Sequence, residues 1–192
     1  LWMPGDTPLE HMVRNLDEGG FAVYKLDFLN LNDRDILDGV LDRARRLLAY
    51  SGCRVRVSWD VTENSPRRPR TRFVVYNPPL VLRDAWHFAH YLNLNQIEIP
   101  VQDVDKVDPV IRNSSAYSHA YCTAMSIVGL PLFFQETHFL EGRARKETRT
   151  IMQTWREHRE EMARGHVFPI GEEPCGAAWT GFQCHDPETG NG

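Results

Sequence analysis

Short apolar runs alternate along this chain with longer segments whose apolar side chains recur every three or four residues. That alternation constrains the fold more than any other feature of the sequence. A short helix is expected over 8–18, with Leu9, Met12, Val13 and Leu16 on one face and Gly19-Gly20 as its stop. Residues 21–27 then read as a strand. Asn32 can cap the next helix, in which Ile36, Leu37, Val40, Leu41, Ala44, Leu47 and Leu48 fall at helical spacing up to Gly52. Residues 53–60 form the next expected strand, with Val55, Val57 and Trp59 alternating against Arg54, Arg56 and Ser58. Further strands are expected at 72–77, 96–101 and 130–134. Helices are expected from Pro78-Pro79, from a cap at Asn113 or Ser114 to Gly129, and over 143–164.

Strand, helix, strand, helix is the pattern of a parallel sheet with right-handed crossovers. The fold class expected is α/β: a partial (β/α)8 TIM barrel holding five or so C-terminal strands, followed by the start of a C-terminal β domain. The barrel part takes 1–165. Residues 166–170 and 178–183 read as antiparallel strands, so 166–192 begins the β domain. One link departs from the pattern. Residues 62–72 carry Pro66, Pro69 and four arginines, so no helix is expected between the strands at 53–60 and 72–77. The chain opens on Leu1 and closes on Thr189-Gly190-Asn191-Gly192, which reads as an excerpt of a longer protein.

A net charge of −4 gives no reason to expect nucleic acid as a partner. No apolar run approaches the roughly 20 residues of a membrane span. Cys53, Cys122, Cys175 and Cys184 have no close metal-binding spacing. Cys53 and Cys122 read as small core residues, and Cys175 and Cys184 flank a hairpin in which they could pair under oxidising conditions. Reduced thiols in a soluble protein are the expectation, with the cytoplasm favoured.

Asp27 and Asp60 each close an expected strand, and carboxylates at the C-terminal ends of parallel strands share one rim of a barrel. Two carboxylates flanking one point are what glycoside cleavage requires: one attacks the anomeric carbon and the other protonates the leaving oxygen. Lys25 lies on the same strand face as Asp27, where its ammonium can bond a sugar hydroxyl. Trp59 offers a ring for a sugar to stack on. Glu136 and His138 follow the strand at 130–134 and are candidates to line the same site. The arginines of 62–72 read as a solvated loop, and His87, His90 and His119 as helix-surface or packing residues.

Tyr24-Lys25-Leu26-Asp27-Phe28 resembles the nucleophile segment of the melibiase-type α-galactosidases of glycoside hydrolase family 36. Trp59-Asp60-Val61-Thr62-Glu63 is similar to that family's acid/base segment. Leu82-Arg83-Asp84-Ala85-Trp86, residues 114–119 with 130–136, and residues 155–160 with Trp179-Thr180-Gly181-Phe182 resemble blocks of its distant members. The resemblance implies a (β/α)8 barrel, a retaining double displacement, an oligosaccharide or glycoside substrate, and no metal or other cofactor. Asp27 becomes the nucleophile and Lys25 a sugar-hydroxyl ligand. Asp60 becomes the acid/base, a role that Glu63 can also fill. The family's second acid lies two strands after the nucleophile, whereas Asp60 stands on the next one. Its cysteine- and glycine-rich segment before the acid/base is not visible.

The function expected is an O-glycosyl hydrolase for terminal α-galactosides or related sugars. A barrel that lacks strands presents a bare edge that invites homo-oligomerisation and weakens activity. The alternative is a carbohydrate-binding or degenerate barrel without catalysis. A third reading makes Lys25 a Schiff base, which the adjacent carboxylate disfavours.

Overall fold

The structure, a computed structural model, describes residues 1–27, 34–60, 78–101, 104, 114–133 and 137–192. The chain is α/β and divides into two compact units, Leu1–Phe73 and Val74–Gly192. The strand expected at 72–77 lies outside the described residues.

In the first unit, strands β1 (Trp2–Pro4), β2 (Val23–Asp27) and β3 (Arg56–Asp60) run parallel in that order. Helix α1 (Leu9–Gly19) joins β1 to β2, and α2 (Arg34–Tyr50) precedes β3. The register sets Trp2, Met3 and Pro4 beside Lys25, Leu26 and Asp27, and Lys25 and Leu26 beside Ser58 and Trp59. Successive strand residues point to opposite faces. Tyr24 and Leu26 are fully buried, whereas Val23 is exposed and Lys25 and Asp27 are half-buried. The Tyr24 hydroxyl donates to the Met12 carbonyl of α1 at 3.1 Å, which identifies the helix-covered face. Met3, Met12, Val40, Ala44, Leu47, Val57 and Trp59 complete this core.

Helix α1 ends where Gly20 adopts the left-handed conformation (φ 65°) and its N–H returns to the Leu16 carbonyl. The strand expected to begin at Cys53 begins at Arg56. Helix α2 leaves through two successive left-handed residues, Gly52 and Cys53 (φ 61° and 59°), and the Cys53 N–H closes on the Leu48 carbonyl at 2.8 Å. Cys53 is therefore an exposed turn residue and not a core one.

In the second unit, α3 (Pro78–Phe88) precedes β4 (Ile97–Val101), which pairs parallel with β5 (Leu130–Phe133). Every residue of β4 is buried. The long helix expected up to Gly129 is replaced by a single 3-10 turn at Ser114–Ala116 and a six-residue α4 (His119–Ala124). Ser118 caps α4 by accepting the Tyr121 N–H at 3.1 Å. The Thr123 and Ser126 hydroxyls donate to the carbonyls of His119 and Thr123, local bonds that compete with helix continuation. Cys122 is buried as expected, and desolvation pushes its thiol up to about 12.

Helix α5 (Gly142–Arg164) runs 23 residues. Its last carbonyls are met by side chains that follow α3: the Asn95 amide donates to the carbonyls of Met162 and Gly165, at 3.0 and 3.1 Å. Asn93 donates to the Gly165 carbonyl and accepts the Val167 N–H, so one amide spans the passage from helix to strand. Strands β6 (His166–Gly171) and β7 (Thr180–His185) pair antiparallel, as their composition suggested. Among the described residues, no helix is long and apolar enough to cross a membrane.

Two outcomes test these packing statements. A Cβ at Gly129 would lie 2.7 Å from the Ile97 carbonyl and 2.8 Å from that of Leu94, both backbone atoms that cannot yield cheaply. Gly129→Ala should therefore lower stability by about 1–3 kcal/mol in urea unfolding; an unchanged midpoint contradicts this packing. Second, the Glu188 N–H, foremost, holds the Asp186 carboxyl below its usual range, helped by Thr189 and by Arg164 at 3.7 Å. A depressed folded pKa gives stability that is present above the unfolded value, about 3.9, and lost as pH falls through the folded value. Asp186→Asn should thus be less stable than the parent at neutral pH and approach it in acid. A constant difference across that range contradicts the assignment.

Candidate functional site

The C-terminal end of β2 places Lys25 and Asp27 on the sheet face opposite Tyr24 and Leu26. Trp2 stands beside Lys25 on β1, and its indole N–H donates to Asp27 Oδ2 at 2.6 Å. The indole thus reaches diagonally across the sheet, a span open to a large side chain. The bond is short because its acceptor is a carboxylate, and it fixes one of the two Asp27 oxygens. On the other side of Lys25 stands Ser58, which is buried.

The rim around Asp27 is tied from behind. Its carbonyl accepts the Gly5 N–H at 2.6 Å, which carries the β1–β2 ladder one step past Pro4. The Gly5 carbonyl accepts Arg43 Nη2 of α2, also at 2.6 Å, and the Thr7 hydroxyl donates to the Pro4 carbonyl. The turn after β1 and the second helix therefore both anchor the strand end that carries the carboxylate.

Strand β3 ends at Asp60 as β2 ends at Asp27. The Tyr24–Val57, Lys25–Ser58 and Leu26–Trp59 pairings, continued by one residue, bring the backbone of Asp60 opposite that of Asp27. Adjacent strands lie about 4.8 Å apart. The Asp60 side chain, Glu63 and Glu136 lie outside the described residues. His138 is exposed on a 3-10 turn at Thr137–Phe139.

Trp59 corrects an expectation. It is 7% exposed and shares the Leu26 face, opposite Lys25 and Asp27. Period-two alternation places it in the core whenever Asp60 is on the rim face, so it has no ring to offer a sugar there. The tryptophan beside the carboxylate is Trp2, which is 52% exposed. Its strand is three residues long, and the only sequence signal for it was the Gly5-Asp6 turn that follows. Among the described residues, no three His, Cys, Asp or Glu side chains are grouped to hold a metal ion.

No family profile matches this sequence, and no curated protein matches it. A solved structure similar in fold is the galactosidase domain of an alpha-galactosidase-sucrose kinase, AgaSK, at a TM-score of 0.55 and 14% identity. The match covers 86% of this chain and 24% of that one, so this chain spans about a quarter of the other's length. At that identity the likeness is one of fold.

The Trp2–Asp27 bond can be read directly in solution. The Trp2 indole N–H resonance should lie downfield and move upfield in Asp27→Asn, with the other four indole resonances nearly unchanged. A spectrum in which no indole resonance responds would contradict the bond.

Proposed function

We propose that this chain carries catalytic strands of a (β/α)8 barrel in a retaining O-glycosyl hydrolase for terminal α-galactosides or related sugars. The observation that carries this reading is the Asp27 carboxylate, held by Trp2 at a parallel-strand end on the face that bears Lys25. The in-register end of β3 at Asp60 and the fold likeness to a galactosidase domain support it.

In this reading the second Asp27 oxygen attacks the anomeric carbon while the glycosidic C–O bond breaks. Asp60, or Glu63 in its place, gives its proton to the departing oxygen. The same group then takes a proton from water, which attacks the glycosyl-enzyme and returns Asp27 as a carboxylate. Trp2 orients the nucleophile through its other oxygen. Lys25 bonds a sugar hydroxyl, and its positive charge sits two residues from the attacking group. Neither step needs a metal or an organic cofactor.

Asp27→Asn should cut turnover of an aryl α-galactoside by at least about 10³-fold, because it removes a group whose whole effect lies in the transition state. Lys25→Met should raise KM more than it lowers kcat. The assay belongs on this chain and on any longer chain that contains it. Turnover in Asp27→Asn equal to that of the parent would contradict the proposal, as would a parent that binds galactosides and never cleaves them.

A further inference from the structure

A cavity of about 670 Å³ lies within the second unit, and none of the residues assigned a role above lines it. Three elements wall it. Helix α3 contributes Leu82 and Arg83, α4 and the turns around it Tyr117, Tyr121 and Met125, and the segment from Pro174 into β7 contributes Ala178 and Phe182. Its volume falls in the roughly 300–1,000 Å³ range of small-molecule sites.

The walls are built and not left over. Glu173 meets Arg83 Nε at 3.4 Å and His87 Nε2 at 3.2 Å, and Arg83 Nε also donates to the Pro174 carbonyl at 3.2 Å. These contacts pin the loop between β6 and β7 to α3. Gly171 and Gly176 let that loop turn at φ 77° and 82°, and a Cβ at Gly171 would collide with the Trp179 carbonyl. The loop's own large side chain does not fill the space, since Trp179 is 93% exposed.

The lining specifies an occupant. Tyr117 and Tyr121 stack with their centroids 5.2 Å apart and their planes 22° from parallel, which makes one wall aromatic. Leu82, Met125, Val128 and Phe182 make most of the remainder apolar, and Thr180 adds a hydroxyl. Burial, then the neighbouring Tyr117 and Cys122, pushes the Tyr121 phenol up, so it stays a neutral donor at physiological pH. Arg83 brings the one cationic side chain of the lining, and it meets Glu173 and the Pro174 carbonyl through its Nε.

We infer that this cavity binds a planar aromatic molecule carrying an acidic group, the ring against Tyr117, Tyr121 and Met125 and the anion at the Arg83 guanidinium. A largely apolar lining with aromatic rings and one cationic side chain suits that chemistry. The site shares no lining residue with the Asp27 rim.

The probe is 8-anilinonaphthalene-1-sulfonate, titrated by fluorescence, with uncharged N-phenyl-1-naphthylamine beside it. The parent should bind one equivalent saturably. Ala124→Phe and Ala178→Phe each add a ring to the cavity lining, from α4 and from the segment before β7, and each should weaken both probes by about tenfold or more. Arg83→Met should weaken the sulfonate more than the naphthylamine, the loss common to both probes being that of the loop contacts its Nε makes. Circular dichroism checks each variant, and if one fails to fold the other carries the test. Absence of saturable binding to the parent overturns the inference, as does unchanged binding in a folded filling variant. Equal loss of both probes in Arg83→Met overturns the role given to the guanidinium. A parent dimer that Ala124→Phe or Ala178→Phe dissociates in sedimentation would make the occupant a second copy of the chain, and would overturn it too.

Discussion

Strand β2 has one side committed before any chemistry is considered. Tyr24 and Leu26 carry too much apolar surface to leave in water, and each gains roughly 1.5–3 kcal/mol on full burial. Both are fully buried, and the Tyr24 hydroxyl is satisfied by an α1 carbonyl. The pleat then leaves Val23, Lys25 and Asp27 on the other face. A slip of one residue would bury a lysine and an aspartate and expose a tyrosine and a leucine, so the register is strongly specified. The position of the candidate nucleophile is thus a consequence of where the core is.

The same constraint acts on the neighbours. Met3 and Trp59 pair with Leu26 and follow it into the core, while Trp2 and Ser58 pair with Lys25. Trp2 reaches Asp27 because parallel pairing sets it one diagonal away. Gly5 and Arg43 brace the backbone behind the carboxylate. A strand end, a turn and a helix therefore hold one side chain, which is the kind of support that keeps a reacting group in place.

Much of this was legible in the sequence. The helices at Leu9–Gly19, Arg34–Tyr50 and Gly142–Arg164 announce themselves through apolar periodicity and through stops at Gly20, Gly52 and Gly165. The parallel strands announce themselves through short apolar runs between helices. Three features were not legible, each for a local reason. The three-residue β1 is too short to show a period, so no pattern marks Trp2 as the partner of Asp27. Cys53 takes a left-handed conformation that only glycine advertises. Residues 113–128 carry a helical pattern, yet a cap at Ser118 and the back-bonding hydroxyls of Thr123 and Ser126 confine regular helix to six residues. Trp59 shares a face with Val55 and Val57, so a rim position for Asp60 already commits its ring to the core.

The account turns on whether two strand-end carboxyls converge. Asp27 and Asp60 close neighbouring parallel strands in matching register, and a double displacement needs its two carboxyl groups about 5–5.5 Å apart. A crystal structure of the chain, or of the longest natural chain that contains it, gives that separation directly. The account predicts a value in that range, with both groups facing one cleft on the Lys25 side of β2. A separation beyond about 9.5 Å, with no other acid within reach of Asp27, would contradict it.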